Sequence, residues 1–171
     1  MHYNFNSLKD KFHSNKNVLL EKAGVSDSSE QKNFYFVKQD SITKLGKEWA
    51  SGIGSFKKQH LLDHHRKRFK ITEEDIEIDE IQIKTFSDVC KKYNIIEIDF
   101  LFIDTEGHDY NIINSIDFSN IKINKIKFEY KHLDGTFLYE KNLPKLKNMF
   151  KELNYIETEF DDENITFERK K

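Results

Sequence analysis

Apolar positions along this chain alternate between a spacing of three or four residues and a spacing of two. Phe5, Leu8 and Phe12 fall on one helical face between Tyr3 and Ser14, and Asn15-Lys16-Asn17 closes that segment. Val18-Leu19-Leu20 opens a strand predicted to run to Val25 and to break at Ser26-Asp27-Ser28-Ser29. Asn33 to Lys38, rich in Phe, Tyr and Val, predicts a second strand. Gln39 to Glu80 is the least regular region, with a flexible loop at Ser51-Gly52-Ile53-Gly54-Ser55. Ile76, Ile78, Ile81 and Ile83 alternate with polar or acidic residues, with a register break at Asp79-Glu80. That pattern predicts a strand with one exposed face.

Phe86, Val89, Cys90 and Tyr93 return to the helical period, so a short helix is expected over Ser87 to Tyr93. Ile98 to Ile103 reads as a buried strand, and Tyr110, Ile113 and Ile116 as a helix after it. Ile121 to Tyr130 alternates as a strand. Leu143-Pro144 starts a helix whose apolar face carries Leu146, Met149, Phe150 and Leu153, proline being well tolerated in a first turn. Ile156 to Phe160 and Ile165 to Glu168, around the turn Asp161 to Asn164, make a hairpin by spacing. Alternating helices and strands with a closing hairpin imply an α/β sheet, parallel for most strands with an antiparallel edge. No internal repeat or Pro/Gly-rich linker interrupts the chain, so residues 1–171 are expected to form a single domain.

Composition narrows the function classes. The formal charge of −2 gives no global case for nucleic acid or an anionic membrane. The 15 Phe and 7 Tyr supply core-forming bulk, so the 34% charged content does not imply disorder. Cys90 is the only cysteine, which excludes an intrachain disulfide and fits a reducing, cytoplasmic setting. No apolar stretch approaches the roughly 20 residues of a membrane span, and Met1 to Phe5 lacks the apolar region of a secretion signal.

The candidate chemistry lies at Ile103-Asp104-Thr105-Glu106-Gly107-His108-Asp109-Tyr110-Asn111. A strand delivers Asp104, Glu106 and Asp109 to its carboxyl end, where open α/β sheets bind ligands. Carboxylates there can also cap the following helix. His108 titrates near neutrality when unperturbed, which suits a base. Gly107 permits a positive φ or a close backbone approach. Asp104, Glu106, His108 and Asp109 together could instead hold Mg²⁺, Mn²⁺ or Zn²⁺ for a hydrolase, with His64, His65 and His132 as further ligand types. The cationic stretch Lys57 to Lys70 reads as a solvated face, or as the phosphate-binding surface of a nucleic-acid module, which the absence of net basic charge disfavours.

The order of these pieces resembles the C-terminal two-thirds of an FkbM-type methyltransferase, a class I S-adenosylmethionine-dependent enzyme. Ala23-Gly24-Val25-Ser26-Asp27 is similar to the end of that fold's third strand, and Ser51-Gly52-Ile53-Gly54-Ser55 to the small-residue loop after it. Phe102-Ile103-Asp104-Thr105-Glu106-Gly107-His108-Asp109 resembles the fourth-strand motif, and Ile126-Lys127-Phe128-Glu129 the fifth strand, which ends in Glu. The resemblance implies a Rossmann-like sheet of order 3-2-1-4-5-7-6. Its first two strands and glycine-rich turn have no counterpart here, so the chain is expected to be an N-terminally truncated methyltransferase domain.

The resemblance also implies the cofactor S-adenosylmethionine and methyl transfer to a hydroxyl of a carbohydrate or other small molecule. Asp104, Glu106 and His108 would be the catalytic residues. Ala23, Gly24, Val25, Asp104 and Gly107 would contact the cofactor, and Ser51, Gly52, Ser55 and Glu129 the acceptor. No resident metal, membrane or nucleic-acid partner is implied. Strand edges left unpaired by the missing strands would favour self-association.

Overall fold

The computed structural model of the chain describes residues 2–46, 48–67, 71–136, 138 and 141–170. These form two compact units that interleave in sequence: residues 1–24 with 30–83, and residues 25–29 with 84–171.

The first unit contains α1 (His2–Phe12), the beginning of β1 (Gly24–Ser26), β2 (Gln31–Val37), α2 (Gln39–Leu45), β3 (Gly54–Ser55), α3 (Lys58–Lys67) and most of β4 (Ile76–Thr85). The sheet order is β1-β4-β2-β3. β4 runs antiparallel to β2 in unbroken register from Gln31↔Gln82 to Val37↔Ile76, so the register break expected at Asp79-Glu80 is absent. Unbroken pairing places Ile76 and Ile78 on one face and Ile81 and Ile83 on the other, and Ile78 stays exposed.

Antiparallel pairing follows from the connection. The chain leaves β2 at Val37 and returns to the same end at Ile76, where the Lys38 amide donates to the Asp75 carbonyl at 2.9 Å. Asp75 fastens the return: its carboxylate accepts from the Thr72 amide and hydroxyl, both at 2.9 Å, and from the Ser41 hydroxyl at 2.8 Å. Val37, Ile42, Ala50, Ile53, Leu61, Ile71 and Ile76 form this unit's core.

Three expectations change here. Residues 18–23 lack regular structure and Leu19 is exposed, so the strand predicted from Val18 shrinks to β1. A run of consecutive apolar residues without alternation specifies no strand face. The loop Ser51 to Ser55 is a 3-10 turn (Glu48–Gly52) followed by β3, which pairs Ser55 with Tyr35. The irregular region also holds α2 and α3, whose polar sequences mask their helical period.

The second unit contains α4 (Phe86–Lys92), β5 (Glu97–Ile103), α5 (Asp109–Ser115), β6 (Lys122–Glu129), α6 (Leu143–Glu152), β7 (Tyr155–Phe160) and β8 (Asn164–Arg169). Its sheet has the order β5-β6-β8-β7. β5 and β6 are parallel, whereas β8 is antiparallel to both β6 and β7. The expectation of a mostly parallel sheet is therefore corrected to a mixed α/β fold with two four-stranded sheets, partly parallel. The short turn between β7 and β8 permits only antiparallel pairing.

Helix α4 begins at Thr85, whose side-chain oxygen accepts from the Asp88 amide at 3.0 Å. Helix α6 lays Leu146 and Phe150 onto the sheet. Phe150 stacks on Phe167 with centroids 4.5 Å apart and on Phe128 at 6.0 Å. The Tyr155 hydroxyl donates to the Ile123 carbonyl at 2.6 Å, which satisfies the ring's polar end within the core. Cys90 is buried in this core, where loss of solvent pushes its thiol pKa up. Among the described residues no helix is long and apolar enough to cross a membrane.

Candidate functional site

The parallel register of β5 and β6 builds the site. Ile103 pairs with Phe128, so the next residues, Asp104 and Glu129, emerge side by side at the carboxyl ends of adjacent strands. Adjacent strands lie about 4.8 Å apart, which forces the two carboxylates into one neighbourhood. Glu106 joins them from the turn after β5, where its own φ is +51°. One carboxylate oxygen each from Asp104, Glu106 and Glu129 lies within 4.8 Å of the other two.

That turn is heavily determined. Gly107 takes φ +110°, and a β-carbon there would stand 2.5 Å from the Gly135 Cα and 2.9 Å from its nitrogen. Only glycine suits both the conformation and the backbone contact. The Thr105 hydroxyl donates to Asp109 Oδ2 at 2.5 Å, and the His108 amide donates to Thr105 Oγ1 at 3.2 Å. The Tyr110 amide donates to the Leu133 carbonyl at 2.9 Å. Asp109 is completely buried, and its Oδ1 has no hydrogen-bond partner among the described residues. Burial raises its pKa to about 6 against the two hydrogen bonds from Thr105, with the Glu129 and Asp104 charges adding to the rise.

His132 sits between two of the carboxylates. Its Nδ1 is 2.9 Å from Glu129 Oε1 and 3.1 Å from Glu106 Oε2. Burial favours the neutral ring, but the hydrogen bonds and charges of Glu106 and Glu129 outweigh it and raise the pKa to about 9. His132 is therefore a cation at neutral pH. Asp104 is open to solvent at its surface, yet desolvation of its carboxyl and repulsion from Glu129 and Glu106 raise its pKa, partly offset by His132.

His108 turns elsewhere. Its Nε2 lies 2.7 Å from the hydroxyl of Ser26, which is fully buried. Ser26 also donates to Asp27 Oδ1 at 2.8 Å. An ionised Asp27 only accepts, so the Ser26 proton goes to it and the serine oxygen accepts from His108 Nε2–H. The Ser26 hydrogen bond, with help from Asn111 and His108, holds the Asp27 carboxyl below its usual range against partial burial.

The expected site residues thus separate. Asp104, Glu106 and Glu129 come together, whereas His108 and Asp109 face Ser26 and Thr105. Gly107 shapes the turn. Val25 belongs to the second unit, and Ala23 and Gly24 to the first. A β-carbon on Gly24 would meet the tips of the Ile83 and Ile81 side chains at 2.7 and 3.1 Å, so close packing against β4 favours glycine there.

Ser51, Gly52 and Ser55 lie in the first unit; the Ser51 carbonyl accepts from Asn4 Nδ2 at 2.9 Å, and Ser55 is buried. Of the cationic stretch, Lys58 pairs with Glu73 at 2.7 Å and His60 is buried. The side chains of residues 64–67, and residues 68–70 altogether, lie outside the described residues.

Two partners escaped the sequence reading. His132 appeared only as a ligand type with nothing to place it, although its spacing from Glu129, three residues past a strand end, was the available signal. Ser26 carries no local signal for its role, because 82 residues separate it from His108.

Comparison with known proteins adds the family. No curated protein and no solved structure gave a match. Residues 1–160 match the family described as Methyltransferase FkbM domain. The acidic turn after β5 and Glu129 ending β6 are two of the four segments that carry the resemblance, and with a match over nearly its whole length the chain belongs to the FkbM methyltransferase domain family.

Proposed function

We propose that the chain is an S-adenosylmethionine-dependent O-methyltransferase domain acting on a hydroxyl of a carbohydrate or other small molecule. Family membership supports methyl transfer in general. The observation that carries the finer reading is the juxtaposition of Asp104, Glu106 and Glu129 at the carboxyl ends of parallel strands. Carboxylates suit a cofactor whose sulfur carries a positive charge, and a strand-end position suits a ligand. When bound, S-adenosylmethionine supplies an electrophilic methyl carbon for in-line displacement.

The chain's own groups then position and deprotonate. Transfer to a hydroxyl needs a proton acceptor within hydrogen-bond reach. We assign that role to Asp104, because loss of solvent around its carboxyl, with the charges of Glu129 and Glu106 adding to it, raises its basicity, and it stands at a strand end beside the other two carboxylates. Glu106 and Glu129, held by His132, would orient the acceptor. His108, engaged through Nε2 by Ser26, is assigned to holding the turn instead. The cofactor contacts of Ala23, Gly24, Val25 and Gly107, and the acceptor contacts of Ser51, Gly52 and Ser55, rest on the family resemblance alone, and a cytoplasmic location on the single cysteine, Cys90.

Calorimetric titration of S-adenosylmethionine and its demethylated product into the 171-residue chain tests the reading. Saturable micromolar binding, followed by transfer of labelled methyl to a hydroxyl acceptor panel and its loss in Asp104→Asn, is expected. Absence of binding to either compound would sink the reading for this chain.

A further inference from the structure

From the carboxylate cluster we infer a binding site for a hard divalent cation, Mg²⁺, Mn²⁺ or Ca²⁺, with Asp104, Glu106 and Glu129 as its protein ligands. Three carboxylate oxygens within 4.8 Å of one another is an arrangement that charge alone opposes. Like charges held this close repel one another even where the effective dielectric is well above that of a dry interior. His132 can offset at most one of the three carboxylates, and a divalent ion is suited to balance the others.

The second observation is an oxygen with nothing to bind. Glu129 is 8% exposed, and its Oε1 is held by His132 at 2.9 Å. Its Oε2 is buried and has no hydrogen-bond partner among the described residues. Buried acceptors are nearly always satisfied, so an unsatisfied oxygen on one member of the acidic triplet is a place for a positive partner. Metal–oxygen bonds of about 2.1–2.5 Å span opposing ligands about 4–5 Å apart, so small side-chain rotations close the triplet on one ion. An all-oxygen donor set selects hard cations over zinc or copper.

His132 serves as the outer partner that fixes Glu106 and Glu129, in the manner of groups behind metal ligands generally. Glu106 adopts a positive φ that is uncommon in a non-glycine residue, and the turn that holds it carries the third carboxylate to the cluster. The set differs from the Asp104, Glu106, His108 and Asp109 grouping that the sequence suggests, because His108 Nε2 faces Ser26 and Asp109 Oδ2 accepts from Thr105.

The site shares Asp104, Glu106 and Glu129 with the methyl-transfer reading, and a cation held there would displace Asp104 from the role of proton acceptor. Binding is therefore measured with neither cofactor nor acceptor present, and its outcome is independent of methyl transfer. Mn²⁺ is titrated into the full chain, stripped of metal beforehand, and followed by calorimetry and by loss of the free-ion paramagnetic signal. Mg²⁺ and Ca²⁺ serve as competitors. The expected result is one saturable Mn²⁺ per chain, weakened about tenfold or more in Asp104→Asn and in Glu129→Gln and unchanged in Asp117→Asn. Asp104 lies at the surface, so its variant keeps the test alive if Glu129→Gln fails to fold. Absence of saturable binding, or binding that Asp104→Asn leaves intact, overturns the proposal.

Discussion

His108 Nε2 lies 2.7 Å from the hydroxyl of Ser26, so the imidazole of the acidic turn is anchored to a buried serine and not aimed through that nitrogen at the carboxylates. This contact joins the end of β1 to the N-terminus of α5. Ser26→Ala is expected to destabilise the chain by about 1–2 kcal/mol, because it removes partners from both His108 and Asp27. A double-mutant cycle with His108→Ala should give a coupling of about 1 kcal/mol by urea unfolding. Additive losses would mean that the two side chains are neighbours without interacting.

Gly107 is expected to be the most sensitive position of the turn. Alanine there must accept φ +110° and displace the Gly135 backbone, which has no flexible tip to yield. A loss of about 3 kcal/mol or more in denaturant unfolding is expected. At Gly24 the opposing atoms are isoleucine tips, so Gly24→Ala should cost less.

Asp109 makes stability depend on mildly acidic pH. Its pKa is about 6 folded against 3.8 as the reference. The folded state holds the extra proton between those values, so the contribution is favourable below pH 3.8 and is lost as pH rises through 6. Above pH 6 the buried charge costs of order 3 kcal/mol at most. Asp109→Asn, which keeps an acceptor for Thr105, should therefore raise the melting temperature at pH 7.5 and flatten its pH dependence between 4 and 6. An equal slope in variant and parent would refute the assignment.

His132 acts in a different window. Its pKa is about 9 folded against 6.5 as the reference, so its stabilisation is whole below pH 6.5 and disappears as pH rises through 9. His132→Gln should cost about 3 kcal/mol near neutrality by leaving two carboxylates without their counter-charge. Chelator present throughout keeps adventitious metal from masking the loss. The difference between variant and parent should close above pH 9.

The second unit was the more legible half of the fold. Phe150, Ile126 and Phe167 repeat with clean periods because each sits on an element with one buried face, and their strands and helix fall within a residue or two of expectation. The first unit resisted because α3 spends its polar face on Lys58, Gln59 and Asp63, and because β4 pairs without the break that its apolar pattern suggested. Within the site, Asp104, Glu106 and Glu129 could be read from their strand-end positions. His132 and Ser26 could not be placed, since a side chain's partner across a turn, or 82 residues away, is fixed by packing and leaves no local period.

Because residues 25–29 belong with residues 84–171, no single cut in the chain yields the second unit intact. A fragment beginning at Lys84 keeps every carboxylate of the cluster but forfeits Ser26 and Asp27, and with them the anchor of His108. During synthesis the acidic turn likewise waits for the end of β1, already long emerged, to return across the intervening sequence. Closing so long a loop is entropically costly and slow. Cloning boundaries drawn around the carboxylates alone would thus remove a support that lies far upstream of them.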